Sequence, residues 1–433
     1  MSNVTWLTWA DTHRARPRRM ATPNSTAEIV AAVRSAGDDG LRVRMVGSGH
    51  SFTAVAVTDG LMLSPTALSR VRSIDPAAGT ATVEAGAQLC DFNTALAEHG
   101  VALTNMGDIA VQTVAGATQT GTHGTGRSSA GLAAQVRGLE IVLADGSVVT
   151  CSADVEPELF AAARLGLGAF GVVSAVTMAI EPAFLLHARE EPMPLAEVLE
   201  RLPELRADNE HFEFYWFPHT GSTNTKRNNR VGGPARPLTA FKAWLDDEFL
   251  SNTVFEAANR AARRMPSVVP ALNQVSARAL SARTYSDRSH KVFASPRRVK
   301  FLEMEYAVPA EHLADVLRAV KEVLDRGRHR ISFPLEIRFA PADEVWLSTA
   351  YGRETAYVAA HVYKGTPHEA YFADLEAIFT SVGGRPHWAK MHTRDRSYLE
   401  TVYPRLDSAL AVRERVDPRR RFANPYLDTV LGP

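Results

Sequence analysis

A two-domain α+β protein is predicted from the pattern of this sequence, and three observations carry the prediction. The chain has 433 residues, about three times a roughly 150-residue domain. Strand and helix signals alternate as far as residues 171–180, a Val- and Ala-rich strand that stops at Glu181-Pro182. Beyond that point, apolar strands and amphipathic helices read as one sheet covered by helices. The boundary therefore falls at 182, with one domain over residues 1–182 and another over 183–433.

The elements follow in order. Pro23-Asn24-Ser25 leads into a helix in which Ser25 and Glu28 have capping-box spacing and Ile29, Val30 and Val33 supply the apolar face. Residues 37–40 end it. Residues 41–46 read as a strand that breaks into Gly47-Ser48-Gly49-His50-Ser51-Phe52. A strand at 80–84, a helix at 89–99, a hairpin about Asp145-Gly146 and a short helix at 159–165 complete the first part. The second part opens with a helix at 195–205 and a strand at 211–218, and residues 221–298 are polar, Arg-rich and partly helical. A strand at 300–308 precedes an amphipathic helix at 310–324, whose Leu313, Val316, Leu317, Val320, Val323 and Leu324 share one side. Strands at 331–339, 345–347 and 357–363 and a helix at 369–379 close the pattern.

Composition narrows the function. Hydrophobic residues make up 45% and charged residues 22% of the chain, an ordinary globular balance that argues against disorder or a fibrous repeat. Lys plus Arg and Asp plus Glu are 48 each, so no global field draws in nucleic acid or anionic lipid. Arg14, Arg16, Arg18 and Arg19 form the one basic stretch, read here as a solvated segment. No apolar run follows Arg18-Arg19, so a twin-arginine signal is not supported. The apolar residues 171–180 are about half of the roughly 18 needed to span a bilayer. Cys90 and Cys151 stand apart without CxxC or a Cys/His cluster, and His387 with His392 does not form HExxH, so metal chemistry has no support. A soluble, cytoplasmic protein is expected.

Four motifs are candidates for chemistry. Gly47-Ser48-Gly49-His50-Ser51 directly follows a strand, and its two glycines allow backbone amides to approach an anion such as a dinucleotide pyrophosphate. Phe52 stands where the Rossmann fingerprint needs its third glycine, and a purely structural turn is the alternative. Residues 113–126 interleave four glycines with hydroxyl residues, as a pyrophosphate or flat ring would require, or as a loop under a sheet would. Glu336 and Arg338 are two apart on a strand and share a face, as an edge salt bridge or a grip on a polyol. Gly383-Gly384-Arg385-Pro386-His387-Trp388-Ala389-Lys390 presents His, Trp and Lys together, at a structural corner or at a site.

VGSGHSF, TVAGATQTGTHGTG, FPLEIRF and GGRPHWAK, in this order, resemble the aldonolactone oxidoreductases of the vanillyl-alcohol-oxidase flavoprotein superfamily, which include gulonolactone, galactonolactone and arabinonolactone oxidases and bacterial alditol oxidases. The resemblance spans essentially the whole chain. It implies a PCMH-type FAD-binding domain over 1–182 and a substrate domain over 183–433 with a large antiparallel sheet covered by helices, the segment 385–433 returning to the flavin. It implies FAD held by Val46, Gly47, Ser48, Gly49, His50 and Ser51 and by Thr113, Gly116, Gly121, Thr122, His123 and Gly124, with Val173 and His387 beside it. His50 matches the histidine that bonds covalently to the flavin in many members.

Glu336, Arg338 and Lys390 match the polar residues around the substrate. Arg338 and Lys390 would stabilise developing negative charge and Glu336 would accept hydrogen bonds from substrate hydroxyls, with Lys390, Arg338 or water left open as proton acceptor. Met106-Gly107-Asp108 stands where alditol oxidases carry Met-Ala-Ser, and Tyr363, two after His361, where they carry threonine. Both departures favour an aldono-1,4-lactone over an alditol as substrate. Gly107 matches a gate position at which a small residue leaves oxygen a path, which favours an oxidase making hydrogen peroxide over a dehydrogenase using cytochrome c. A non-catalytic nucleotide-binding module is the competing class, and the oligomeric state is left open.

Overall fold

The computed structural model describes residues 5–295 and 297–433. The helix Thr26–Asp38 starts where the capping pattern places it, with the Ser25 side chain accepting from Glu28 N. It packs against a three-stranded parallel sheet in the order Arg19–Ala21, Leu61–Leu63, Val43–Met45. A five-stranded antiparallel sheet follows, in the order Val148–Ser152, Val136–Val142, Val172–Ala179, Thr80–Glu84, Val71–Asp75. The chain then enters an eight-stranded sheet through Leu185–Pro194.

In that larger sheet all neighbours are antiparallel, in the order Arg283–Arg288, Leu185–Pro194, Ser222–Val231, His211–Trp216, Leu335–Ala340, Thr355–Tyr363, Phe301–Pro309, Arg385–Pro386. Its central strands are two-faced. Phe212, Phe214, Trp216, Leu335, Ile337, Val358 and Met304 bury one face against the helices Leu313–Asp325 and Glu369–Ser381. The other face is polar. Register sets Tyr215 opposite Glu336, Glu336 opposite Ala359, Ala359 opposite Glu305, and Glu303 opposite His361. Opposed residues share a face, so charged groups line up across four strands, and Ala359 leaves room between two carboxylates.

After Arg385–Pro386 the chain packs on the first sheets. Phe52 N donates to Ala389 O at 2.7 Å and Val43 N to Arg421 O at 2.7 Å, while the Asn424 side chain donates to the carbonyls of Ala54, Val55 and Val57. One hydrophobic core joins Val83, Phe92, Ile141 and Val176 to Trp388, Tyr403 and Leu427. Among the described residues no helix is long and apolar enough to cross a membrane.

Several local expectations are corrected. Residues 345–347 form a turn, because the Asp343 side chain accepts from Val345 N and Ser348 Oγ and curls the chain. The Gly/Thr-rich run 113–126 contains the helix Val114–Thr120, N-capped by Thr113. The helix expected at 195–205 is two short ones, Leu195–Glu200 and Leu202–Ala207, with Pro203 at the start of the second. The polar stretch 221–298 contributes the strands Ser222–Val231 and Arg283–Arg288, and between them a helical excursion that includes a π-helix at Trp244–Val254.

Candidate active site

Two cavities meet at the loop after the strand Val43–Met45. The first is a groove walled by residues 47–51, by Thr113, Gly116 and Thr120, and by Leu167, Gly168 and Val173. Glycine is required where the walls touch, since a Cβ on Gly47 would stand 2.4 Å from Thr113 Oγ1. That oxygen already accepts from Gly116 N. Gly49 adopts φ +72°, the left-handed conformation that lets successive amides converge on an anion. None of the backbone N–H groups of residues 47–51 donates to an acceptor among the described residues. A run of unspent donors along a groove is what a diphosphate needs.

Arg44 braces this groove from behind. Its guanidinium donates to the carbonyls of Val55, Leu167, Gly168 and Phe422 at 2.6 to 2.9 Å. Burial, with Arg413 adding to it, presses its pKa down to about 9; the four carbonyls are its partners in place of a carboxylate.

The second cavity, of about 470 Å³, lies under the polar face of the large sheet, and His50 and Gln112 line both spaces. His50 stacks on Trp9 with ring centroids 5.3 Å apart. Burial, and secondarily the Lys390 ammonium, lowers its pKa to about 4, so the imidazole is neutral at physiological pH.

Charges alternate around the second cavity. Arg338 contacts Glu336, donates to Glu213 at 2.9 Å and lies 3.6 Å from Asp108, which pairs with Arg297 at 2.9 Å. The Lys390 ammonium contacts Glu303 and sits 5.2 Å over the Phe52 ring. Burial opposes that ammonium, but Glu303 and Glu305 outweigh it and raise its pKa. Burial likewise opposes ionisation of Glu303, and Lys390 and His361 overcome it to hold the carboxyl at about 2. Glu336 differs. Burial raises its pKa, Arg338 only partly offsets this, and Asp108 and Glu213 reinforce it. It is the one carboxylate of Asp108, Glu213, Glu303, Glu305 and Glu336 that the site pushes toward its protonated form.

Two histidines complete the wall. His123 lies 2.6 Å from Glu305 and stacks on Tyr357 at 3.5 Å. His387 Nε2 donates to Gly121 O and its Nδ1 accepts from Ala389 N, each at 3.1 Å; burial lowers its pKa to about 4. His123, Glu305 and His387 come close enough to share a cation, but the backbone occupies both ring nitrogens of His387.

Of the residues expected from the sequence, Gly47, Ser48, Gly49, His50, Ser51, Thr113, Gly116 and Val173 line the groove. Gly107, Asp108, Thr122, His123, Glu336, Arg338, His361, His387 and Lys390 line the second cavity. Four lie outside both. Val46 is buried with Ala15 and Met62 behind the groove. Gly121 takes φ +83° as the helix C-cap, and a Cβ on Gly124 would meet Met106 O at 2.1 Å, so both serve chain packing. Tyr363 bonds Glu256 at 2.5 Å in a separate cleft beside Arg260 and Lys364. Arg44, Gln112, Glu213, Tyr215, Arg297, Glu303 and Glu305 went unpredicted. A period of two in charged residues along apolar strands, as in Glu303 and Glu305, was the readable signal for part of that set.

A groove with unspent amide donors that opens into a charged cavity suits a nucleotide cofactor beside a polar substrate, and comparison gives the class. An FAD binding domain model matches residues 17–152. The fold is similar to the crystal structure of cholesterol oxidase from B. sterolicum, with a TM-score of 0.84 at 18% identity, covering 99% of this chain and 96% of that one. A D-arabinono-1,4-lactone oxidase model matches residues 176–430, and the chain belongs to that family of vanillyl-alcohol-oxidase-type flavoenzymes. It is 41% identical to an L-gulono-1,4-lactone dehydrogenase of Mycobacterium tuberculosis, over 99% of both chains. It is 32% identical to the L-gulonolactone oxidase of Bos taurus, over 99% of this chain and 98% of the other.

Proposed function

We propose that this protein oxidises an aldono-1,4-lactone with FAD, and that molecular oxygen then accepts the electrons to give hydrogen peroxide. The observation that carries the reading is the continuity of the two cavities through His50 and Gln112. A cofactor lying in the donor-lined groove would reach the charged face of the sheet at that junction. Residues 1–182 would hold FAD and 183–433 the substrate, with residues around 385–433 returning to the junction.

Bound FAD supplies a two-electron acceptor for hydride from a substrate C–H. The chain's residues do the rest. The amides of residues 47–51 hold the pyrophosphate. His50, neutral and at the junction, has a nucleophilic imidazole suited to a covalent flavin link. Arg338 and Lys390, cationic at any physiological pH, stabilise an alkoxide developing at the substrate oxygen. Glu336 accepts a hydrogen bond from a neighbouring hydroxyl and sets which carbon is presented. Gly107 lines the cavity, and a Cβ there would press on Thr122 Cγ2 at 3.0 Å and His123 O at 3.2 Å. Gly107 is therefore read as an oxygen gate from its place in the cavity lining and the motif it matches, while the contacts of that Cβ are those of chain packing.

Anaerobic mixing with a panel of lactones and alditols tests the substrate class, because bleaching of the flavin absorbance identifies a reductant. Bleaching by alditols alone would sink the lactone reading, and bleaching by none would leave a passive binder. The 41% identity to a dehydrogenase favours a second reading of the acceptor. Reoxidation of the bleached enzyme by air, compared with cytochrome c, separates the two. Acid precipitation tests the His50 link, since a yellow pellet that turns colourless in His50→Ala supports it and a colourless wild-type pellet with free FAD excludes it.

A further inference from the structure

The two oxygens of the Glu336 carboxylate are not equivalent. Oε1 accepts from the Tyr215 hydroxyl at 2.7 Å and also contacts the Arg338 guanidinium. Oε2 accepts no hydrogen bond among the described residues, and His361 Nε2 stands 4.0 Å from it, beyond hydrogen-bond reach. One oxygen is saturated and the other is open in the cavity. Register explains why: Tyr215 is the cross-strand partner of Glu336, and its side chain lies on the same polar face. Arg338 cannot do this alone, because it is shared with Glu213 and Asp108.

We propose that Tyr215 is a positioning residue that pins Oε1 of Glu336 and so presents Oε2 as the acceptor for a substrate hydroxyl, in its ionised form. The phenol is a constant donor, since burial and then Glu213 and Glu336 hold its pKa well above the usual value for tyrosine. Removing that donor frees the carboxylate to turn both oxygens onto Arg338. It also withdraws a hydrogen bond from the ionised form, so the proton affinity of Glu336 rises. The substrate class recognised is a polyhydroxylated carbon chain with a hydroxyl beside the reacting one, and this part rests on the function proposed above.

Tyr215→Phe in the FAD-loaded enzyme tests the assignment. KM is expected to rise about tenfold, the scale of one hydrogen bond to a charged group, with the limiting rate of flavin reduction changed much less. The acid limb of kcat/KM moves to higher pH, and Tyr215→Phe adds nothing in a Glu336→Gln background. Infrared pH titration of the carboxyl stretch, assigned by its loss in Glu336→Gln, reads the same shift without turnover. An unmoved infrared titration, or additive effects of the two substitutions, overturns the proposal. If no lactone or alditol reduces the wild type, the function reading fails on its own while the infrared result still decides the role of Tyr215.

Discussion

The groove and the charged cavity are built by opposite means. In the groove the groups left free for a ligand are main-chain amides, and side chains matter chiefly where they are absent, as at Gly47, or where they brace the backbone, as Arg44 does. In the cavity the charged groups on offer are side chains, and the backbone only spaces them two residues apart on Leu335–Ala340 and Phe301–Pro309. A backbone site tolerates almost no added atom. A side-chain site tolerates isosteric changes structurally and loses its chemistry instead.

Breaking each region separately sharpens this contrast. Arg44→Met strands four carbonyls without their donor and is expected to cost about 3 kcal/mol or more of stability, read from urea unfolding, together with loss of flavin. Gly47→Val forces a side chain against Thr113; the ratio of flavin to protein absorbance should fall at least about tenfold while the folded fraction holds. Glu336→Gln and Lys390→Met should each slow anaerobic flavin reduction by about an order of magnitude or more, with flavin content unchanged. Retained flavin with normal reduction would break the comparison at its chemical end.

Acid should act on both regions in the same direction. Burial lowers the pKa of His50 and His387 to about 4, against 6.5 for an ordinary imidazole. The unfolded chain therefore binds more protons between those values, and stability falls as pH drops from 6.5 toward 4. Glu303, at about 2 against 4.5, adds loss in the same sense at lower pH. Thermal midpoints from pH 8 to 4 check the sign, and His387→Gln should flatten the upper step. The smallest effect is expected of Tyr363→Phe: its hydroxyl faces Glu256 in another cleft, so flavin reduction should be unchanged within about twofold.

Legibility in the sequence divides along the same line. The Gly47 loop announces itself because only glycine fits there, and glycine spacing survives in one dimension. Glu336 and Arg338 were readable because they interrupt an apolar strand. Glu213, Tyr215, Glu303 and Glu305 obey the same alternation, yet their meaning depends on which strands are neighbours, and that is set by long-range register. Arg297 and the strands Ser222–Val231 and Arg283–Arg288 were hidden for another reason. Their residues are polar on both faces, so no hydrophobic period marks them. Gly121 and Gly124 misled in the other direction, as motif positions whose work is to let the chain pack.

The closure of the groove by the last residues of the chain has a bearing on biosynthesis. Arg44 needs the carbonyl of Phe422, and the loop at 54–57 needs the amide of Asn424. The nucleotide site is therefore expected not to mature while its N-terminal half alone has left the ribosome, because that half shares its core and backbone bonds with residues 388–427. Cofactor capture is then expected to follow synthesis of residues 422–424. A nascent chain stopped short of residue 420 should remain flavin-free, and only a finished molecule should acquire its colour.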